Sequence, residues 1–257
     1  MSGKDEYYNK AKQQGYRARS AYKLQQLDET AGLLGEGRTA VDLGAAPGGW
    51  LQVAAERVGE RGRVVGVDRQ SVEPLADPAP PVEYVRGDIT DADTVRQIRE
   101  TVDGEADVVL SDMAPNMTGE YDLDHARSVH LARQALSVAE ELLGPGGDLA
   151  VKVFDGRDLE ALQADMEEGF DYVRQVRPEA SRDASSELYL VAKHRLTAPV
   201  RTGDRLTVEV VDEGEDGDGV AKVEGFTLFV PGVDPGETVE VAVTEIKPRY
   251  GFAECVD

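Results

Sequence analysis

The chain has 257 residues, 50 acidic against 28 basic, and a formal net charge of −22 at pH 7. This length predicts a sizeable α/β core with a small appended domain. A single cysteine, Cys255, excludes an internal disulfide framework and a cysteine-rich metal site. Neither a signal peptide nor an apolar segment of membrane length occurs, which predicts a cytoplasmic protein that uses no membrane.

The acidic composition at first argues against nucleic acid as a partner, because Lys and Arg side chains neutralise phosphates. However, only eight of the basic residues are lysines, and the acidic residues are spread along the whole chain. This composition is typical of proteins adapted to molar salt. The Debye length there is about 3 Å, so local charge decides whether a surface can meet a phosphate.

The first 27 residues form the most basic segment of the chain. Six basic side chains against two acidic ones give this segment a net charge of +4, and four tyrosines are interleaved with them. Basic and aromatic side chains together are typical of RNA-binding surfaces. Residues 1–27 are therefore predicted to be an RNA-contacting arm, and the alternative is a frayed terminus with its charges in solvent.

A glycine-rich turn at residues 42–50 follows an apolar run and precedes a helical pattern. Gly44, Gly48 and Gly49 would let the backbone approach a ligand closely, because glycine adopts positive φ and has no Cβ. The spacing differs from the Gly-x-Gly-x-x-Gly pattern of dinucleotide enzymes. Asp68 ends the next apolar run, where such folds hold a ribose diol.

Apolar runs then alternate with helical patterns. Further strands are predicted at residues 82–85, 106–110 and 148–154, and helices at residues 91–102, 121–143 and 157–168. This alternation predicts a doubly wound α/β sheet with helices on both faces. Asp68, Asp88 and Asp112 fall at strand carboxyl ends, which suits a ligand with several donors and a positive charge, such as S-adenosylmethionine. Each aspartate alone could instead be a turn or cap residue.

Five segments resemble the FtsJ family of ribosomal RNA 2′-O-methyltransferases, and together they span about residues 7–194. They are residues 17–24, 42–50, 111–116, 151–154 and 185–191. The resemblance implies a Rossmann-like methyltransferase domain over residues 1–196 and S-adenosyl-L-methionine as cofactor. It implies a catalytic tetrad at Lys23, Asp112, Lys152 and Glu187. It also implies cofactor-binding residues at Gly48, Trp50, Asp68, Asp88 and Asp112.

The residue types also suit that chemistry. A ribose 2′-hydroxyl needs a base and an aligned oxygen before it can accept a methyl group. Lys152 lies within an apolar strand, where a charge is costly. We expect Lys152 to accept or orient the hydroxyl proton, Asp112 to fix the amine, and Lys23 and Glu187 to position the ribose. The alternatives are a snorkelling lysine at position 152, a plain strand around Glu187, and simple core packing for Trp50.

The pattern changes after residues 195–199. Five short alternating strands, separated by Gly, Pro and Asp turns, predict a small barrel, and residues 199–257 resemble a TRAM domain, an RNA-binding module. Its net charge of −9 weakens that implication. Lys247, Arg249, Tyr250 and Phe252 form its basic and aromatic cluster, suited to phosphate contact and base stacking, although the aromatics could equally fill the barrel core.

We therefore expect S-adenosylmethionine-dependent 2′-O-methylation of a uridine in large-subunit ribosomal RNA, free or in an assembling subunit, with no metal required. Two other functions remain open. One is the same reaction on transfer RNA, and the other is a non-catalytic RNA-binding assembly factor. Retention of all four tetrad positions argues against the assembly factor.

Overall fold

A computed structural model of the chain describes residues 4–76, 80–181, 186–214 and 216–256, without the side chains of residues 4 and 5. Residues 1–3 of the predicted arm and Ser185 of the last predicted motif lie outside these ranges. The chain divides into two compact units, Met1–Lys193 and His194–Asp257. Each unit has its own apolar core.

The first unit is built on a seven-stranded sheet in the order β3-β2-β1-β4-β5-β7-β6. Its strands are β1 (Thr39–Leu43), β2 (Arg63–Asp68), β3 (Val82–Arg86), β4 (Ala106–Ser111), β5 (Leu143–Phe154), β6 (Phe170–Val176) and β7 (Glu187–Arg195). Strands β1 to β5 pair in parallel, and β7 runs antiparallel to β5. The parallel strands are predominantly apolar because both faces of the sheet are covered.

In the part of the chain that the structure describes, six helices accompany the sheet. They are α1 (Lys4–Gln14), α2 (Ala21–Ala31), α3 (Gly49–Val58), α4 (Ala92–Val102), α5 (Tyr121–Leu142) and α6 (Leu159–Glu167). Helices α4, α5 and α6 bury their apolar sides in one core cluster, whereas α2 and α3 pack in a second cluster. The predicted doubly wound α/β fold is confirmed.

Two helices and one strand were not predicted. The sequence reasoning treated the segment containing α1 and α2 as an arm, yet α2 buries Ala21, Leu24 and Leu27 at helical spacing and ends at Gly32, whose φ is 57°. Helix α1 is polar, and Ala11 is its fully buried apolar residue. Strand β6 could not be predicted from the sequence because it is largely exposed and lacks an apolar run.

Strand β5 is longer than the predicted strand at residues 148–154, because it also includes the Gly-Pro-Gly-Gly segment at residues 144–147. These residues belong to β5 itself, which begins at Leu143. The register with β4 shifts between the pairs Ala106↔Leu143 and Val108↔Asp148. This irregularity accommodates the glycines inside the strand.

The second unit is a closed five-stranded barrel in the order β10-β12-β11-β8-β9. Its strands are β8 (Arg205–Glu213), β9 (Gly219–Val223), β10 (Phe226–Val230), β11 (Thr238–Ile246) and β12 (Tyr250–Cys255). Alternate residues fill the core, among them Val210, Leu228, Val241 and Ala253. The predicted barrel is confirmed, with longer β8 and β11 than expected. Among the described residues, no helix is long and apolar enough to cross a membrane.

Candidate active site

A cavity of about 620 Å³ opens at the carboxyl ends of the parallel strands. Residues that end strands or directly follow them supply much of its wall, as expected for a doubly wound sheet. The lining residues are Gly44, Ala46, Val67, Asp68, Arg69, Gln70, Gly87, Asp88, Ile89, Thr90, Asp112, Met113, Ala114, Asn116 and Leu131. Three of the predicted cofactor residues, Asp68, Asp88 and Asp112, are therefore brought together around one cavity.

Two of these carboxylates are fixed by hydrogen bonds from the loops around the cavity. Asp68 accepts hydrogen bonds from the backbone N–H groups of Ala46 at 3.0 Å and Gln70 at 2.7 Å. Asp88 accepts hydrogen bonds from the backbone N–H and the hydroxyl of Thr90. The Thr90 backbone bond, followed by the hydroxyl bond, lowers the pKa of Asp88. Both groups are held as acceptors at the cavity wall, so they suit hydroxyl and amino donors.

The predicted Lys152–Asp112 pair is present. Lys152 Nζ lies 2.8 Å from Asp112 Oδ1 and also donates to the Asp112 backbone carbonyl. Lys152 is 8% exposed, so its amine is not turned into bulk solvent. Because Asp112 also lines the cavity, the pair borders the space in which a ligand would sit.

A second lysine–carboxylate pair unites the other two tetrad positions. Lys23 Nζ, from α2, lies 2.5 Å from Glu187 Oε1 at the start of β7. Ser181 also donates its hydroxyl to Glu187 Oε1 at 2.9 Å. The two residues of the pair are 164 positions apart in the sequence. Helix α2, which lies partly in the segment predicted to be an RNA-contacting arm, therefore contributes to this site.

Tyr189 connects the two pairs. Its hydroxyl donates to Asp112 Oδ1 at 2.6 Å, and Lys23 Nζ lies 6.0 Å from the centre of its ring. Burial, with added repulsion from Asp112 and Glu187, raises the pKa of Tyr189 well above its usual value. Tyr189 therefore remains a neutral donor to Asp112 under alkaline conditions.

Sequence reasoning missed Tyr189, although a signal was available. Residues two apart in a strand share a face, so Tyr189 lies on the face of Glu187. The register then places Tyr189 directly opposite Lys152 on β5. A tyrosine two residues along the strand from a predicted site residue therefore indicates a further residue of the site.

Replacing Tyr189 by phenylalanine removes one of the donors to Asp112 while keeping the packed ring. We expect the free energy of unfolding to fall by roughly 1–3 kcal/mol, because Asp112 loses a hydrogen bond to a charged acceptor. Chemical denaturation at neutral pH measures this change. Tyr8→Phe, at a tyrosine that is 61% exposed, is the matched control, and equal stability of the two variants would contradict the role given to this bond.

A further carboxyl group lies near Asp68 and Asp112. Asp42, in β1, is buried, and neither of its carboxyl oxygens has a hydrogen-bond partner in the described part of the chain. Burial raises the pKa of Asp42 well above its usual value, and repulsion from Asp112 and Asp68 adds to this effect. The raised pKa favours the neutral form of Asp42, and a positively charged ligand nearby would favour its ionised form.

The remaining two predicted cofactor residues, Gly48 and Trp50, are not among the described residues that line the cavity. Trp50 is buried, contacts the ring of Tyr189, and donates its indole N–H to the Ser20 carbonyl at 2.8 Å. A Cβ on Gly48, whose φ is 107°, would lie 2.9 Å from Arg17 Nη1. The small size of Gly48 thus makes room for a protein side chain, and direct contact of either residue with a cofactor stays a prediction.

The matches to known families meet at residues 195–199, where the change in sequence pattern also predicts a domain boundary. Residues 16–195 match the sequence profile of FtsJ-like methyltransferases, and residues 199–256 match that of TRAM domains.

Similar proteins extend over the whole chain. A protein of Haloarcula marismortui named ribosomal RNA large subunit methyltransferase E is 69% identical, with all of both chains covered. A protein of the same name from Methanothrix thermoacetophila is 46% identical over 99% of this chain and 97% of its own. Among solved structures, a candidate ribosomal RNA methyltransferase of Plasmodium falciparum superimposes with a TM-score of 0.62 at 28% identity, covering 70% of this chain and 98% of its own.

Proposed function

We propose, since this chain belongs to the FtsJ-like methyltransferase family, that it transfers a methyl group from S-adenosyl-L-methionine to the 2′-oxygen of a uridine ribose in large-subunit ribosomal RNA. The observation that carries the proposal is the Lys152–Asp112 pair at the wall of the cavity. An amine held beside a ligand cavity can handle the proton of an attacking hydroxyl. The names of the relatives support ribosomal RNA as the substrate.

The described residues fit the proposed cofactor in volume and in chemistry. A cavity of about 620 Å³ lies within the range of about 300–1,000 Å³ typical of small-molecule sites. Asp68 would hold the ribose hydroxyls and Asp88 an amino group, because ionised carboxylates accept hydrogen bonds and do not donate them. The Asp112 carboxylate would favour a positively charged sulfur at the sheet edge.

S-adenosylmethionine, when bound, supplies a methyl group on a positively charged sulfur. Lys152 lies at the strand end beside Asp112, and we assign it to the 2′-hydroxyl of the substrate, whose proton it accepts or orients. Lys152 would accept the proton of the 2′-hydroxyl, or orient it for release to solvent, while the methyl carbon exchanges its bond to sulfur for a bond to the 2′-oxygen. Asp112 and Tyr189 keep the lysine from rotating away.

The second pair is assigned to the substrate ribose. Lys23 and Glu187 hold each other at 2.5 Å, and Lys23 Nζ lies 6.0 Å from the centre of the Tyr189 ring, so an amine and a carboxylate lie near the tyrosine that bonds Asp112. An incoming ribose offers hydroxyl groups that can donate to Glu187 and accept from Lys23. We therefore assign these two residues to positioning the acceptor and not to the proton transfer.

The barrel supplies a second proposed RNA contact. Phe229, Tyr250 and Phe252 contact one another, with ring centres 5.6–5.8 Å apart. They lie between the buried positions of their strands, Phe229 and Phe252 are half-buried, and Tyr250 is 40% exposed. They are therefore outside the barrel core, in a position that suits stacking with RNA bases. Arg249, directly before Tyr250, would add a phosphate contact.

One incubation tests the proposal. The full chain, in molar KCl, is given labelled S-adenosylmethionine and separate samples of ribosomal RNA, assembled large subunits and transfer RNA, and the methylated ribose is mapped by resistance of its 3′ linkage to alkali. We expect one 2′-O-methyluridine in large-subunit RNA. Methylation of transfer RNA alone, of a base, or of none of these samples would contradict the proposal.

A further inference from the structure

Arg17 lies across the two loops that frame the cofactor cavity. Its Nη1 donates to the carbonyl of Pro47 at 3.3 Å and to the carbonyl of Glu73, and its Nη2 donates to the carbonyl of Pro74 at 2.7 Å. Pro47 belongs to the glycine-rich turn after β1, whereas Glu73 and Pro74 follow β2. A single guanidinium therefore adds a further connection between two loops that Asp68 already joins through the Ala46 N–H.

The backbone that carries Arg17 is itself fixed. The Arg17 N–H donates to Gln52 Oε1 at 2.8 Å, and Gln52 Nε2 donates to the Gly15 carbonyl at 2.9 Å. The absence of a side chain on Gly48 lets the guanidinium lie against the glycine-rich turn, since a Cβ there would approach Arg17 Nη1 to 2.9 Å. Arg17 is thus anchored to α3 at its backbone and to both loops at its side chain.

The partners of Arg17 show what it does. They are backbone carbonyls, and within the described residues Arg17 makes no ion pair with a carboxylate. The segment after β2 is also bound to β3, because the Leu75 N–H donates to the Tyr84 hydroxyl at 2.9 Å. Arg17 connects residues 73 and 74 of that segment to the glycine-rich turn.

We propose that Arg17 is a positioning residue that sets the affinity of the cavity for S-adenosylmethionine without touching it. The planar guanidinium presents several donors in a fixed fork and can serve both loops at once, which a lysine ammonium does less well. Without this bridge the loop after β2 is held less firmly against the glycine-rich turn, and the ligand must order it on binding, which weakens its affinity. The inference rests on the proposed cofactor. It gives part of the basic amino-terminal segment a role in the cofactor site, in addition to any RNA contact.

Calorimetric titration with S-adenosylmethionine and S-adenosylhomocysteine in molar KCl, without RNA, tests the inference. Arg17→Ala should raise both dissociation constants roughly 10- to 100-fold, because two or three charge-assisted hydrogen bonds are lost. Arg17→Lys should fall close to Arg17→Ala. Two matched controls should stay within twofold of the wild type. Arg19→Ala removes a neighbouring guanidinium that donates to Ala180, and Arg61→Ala removes an exposed one that pairs with Glu36.

The outcomes separate the inference from the proposed function. A wild-type chain that binds neither compound would refute the cofactor itself. A wild-type chain that binds, together with an Arg17→Ala protein of equal affinity, would overturn the role of Arg17 alone. A lower kcat at saturating cofactor with unchanged dissociation constants would also overturn it and would favour RNA contact. The thermal transition shows whether the Arg17→Ala protein folds. If it does not fold, Arg17→Lys and Gln52→Ala test the inference in its place, and both variants must then bind the cofactor more weakly than the wild type.

Discussion

Replacement of Lys152 by alanine is expected to lower the rate of methyl transfer by about 10²- to 10⁴-fold, the range typical of a positioned acid–base group. Lys152 is the amine that touches Asp112 at the cavity wall. Its removal leaves the 2′-hydroxyl without the group that takes or orients its proton. Single-turnover kinetics with saturating cofactor and RNA measures the loss.

Controls must separate this chemical role from folding and binding. S-adenosylmethionine should bind the Lys152→Ala protein within a few-fold of the wild type, because we assign ligand binding to Asp68 and Asp88. Lys222→Ala, at an exposed lysine that donates to Thr227 on the barrel, should methylate normally. A folded, cofactor-binding Lys152→Ala protein with near-normal turnover would remove Lys152 from the mechanism.

Transfer from molar KCl to dilute buffer is expected to destabilise the protein strongly. A net charge of −22 makes the folded state repel itself, and the Debye length grows from about 3 Å at 1 M salt to about 10 Å at 0.1 M. We expect the melting temperature to fall by at least about 10 °C between 3 M and 0.1 M KCl, which corresponds to a few kcal/mol for a chain of this size. Methyl transfer should be lost over the same range.

Circular dichroism melts over a series of KCl concentrations measure this dependence. Sucrose at matched osmolality is the control, since it acts through exclusion from the surface and does not screen charge. Sucrose in dilute buffer should not restore the melting temperature that molar KCl provides. Full stability and activity in dilute buffer would refute the adaptation to salt that the composition predicts.

The sheet could be predicted because its signal is local. Each parallel strand is an apolar run, and residues 42–50 mark the first turn through their glycines. The predictions failed where a segment depends on tertiary contacts. Helix α1 is polar, and β6 is an exposed edge strand. The glycines at residues 144–147 lie within β5, where the pairing of β5 with β4 shifts its register. None of these features leaves a periodic pattern in the sequence.

The site was harder to predict than the fold, as two buried lysines show. Lys193 is as buried as Lys152 and also lies in an apolar strand, but its amine donates to the carbonyls of Ala31 and Gly32 and pairs with Asp148. It fastens the end of α2 to the sheet. Burial of a lysine therefore does not by itself identify a catalytic group. The family resemblance predicts Lys152 as the catalytic lysine. In the structure, Lys152 differs from Lys193 because its partner Asp112 lines the cavity.

The same limit applies to Arg17. Its charge and tyrosine neighbours suggested RNA contact, whereas its hydrogen bonds go to three carbonyls of the protein. Side-chain partners that lie 30–57 residues away cannot be read from composition or spacing, because they depend on how the loops meet in the folded chain.

A crystal structure of the protein with S-adenosylhomocysteine tests the central claim most directly. The account predicts density in the cavity, with the ligand ribose at Asp68 and its sulfur on the side of the Lys152–Asp112 pair, facing open space that an incoming ribose can fill. Density elsewhere on the protein, or a sulfur separated from Lys152 by protein atoms, would contradict it.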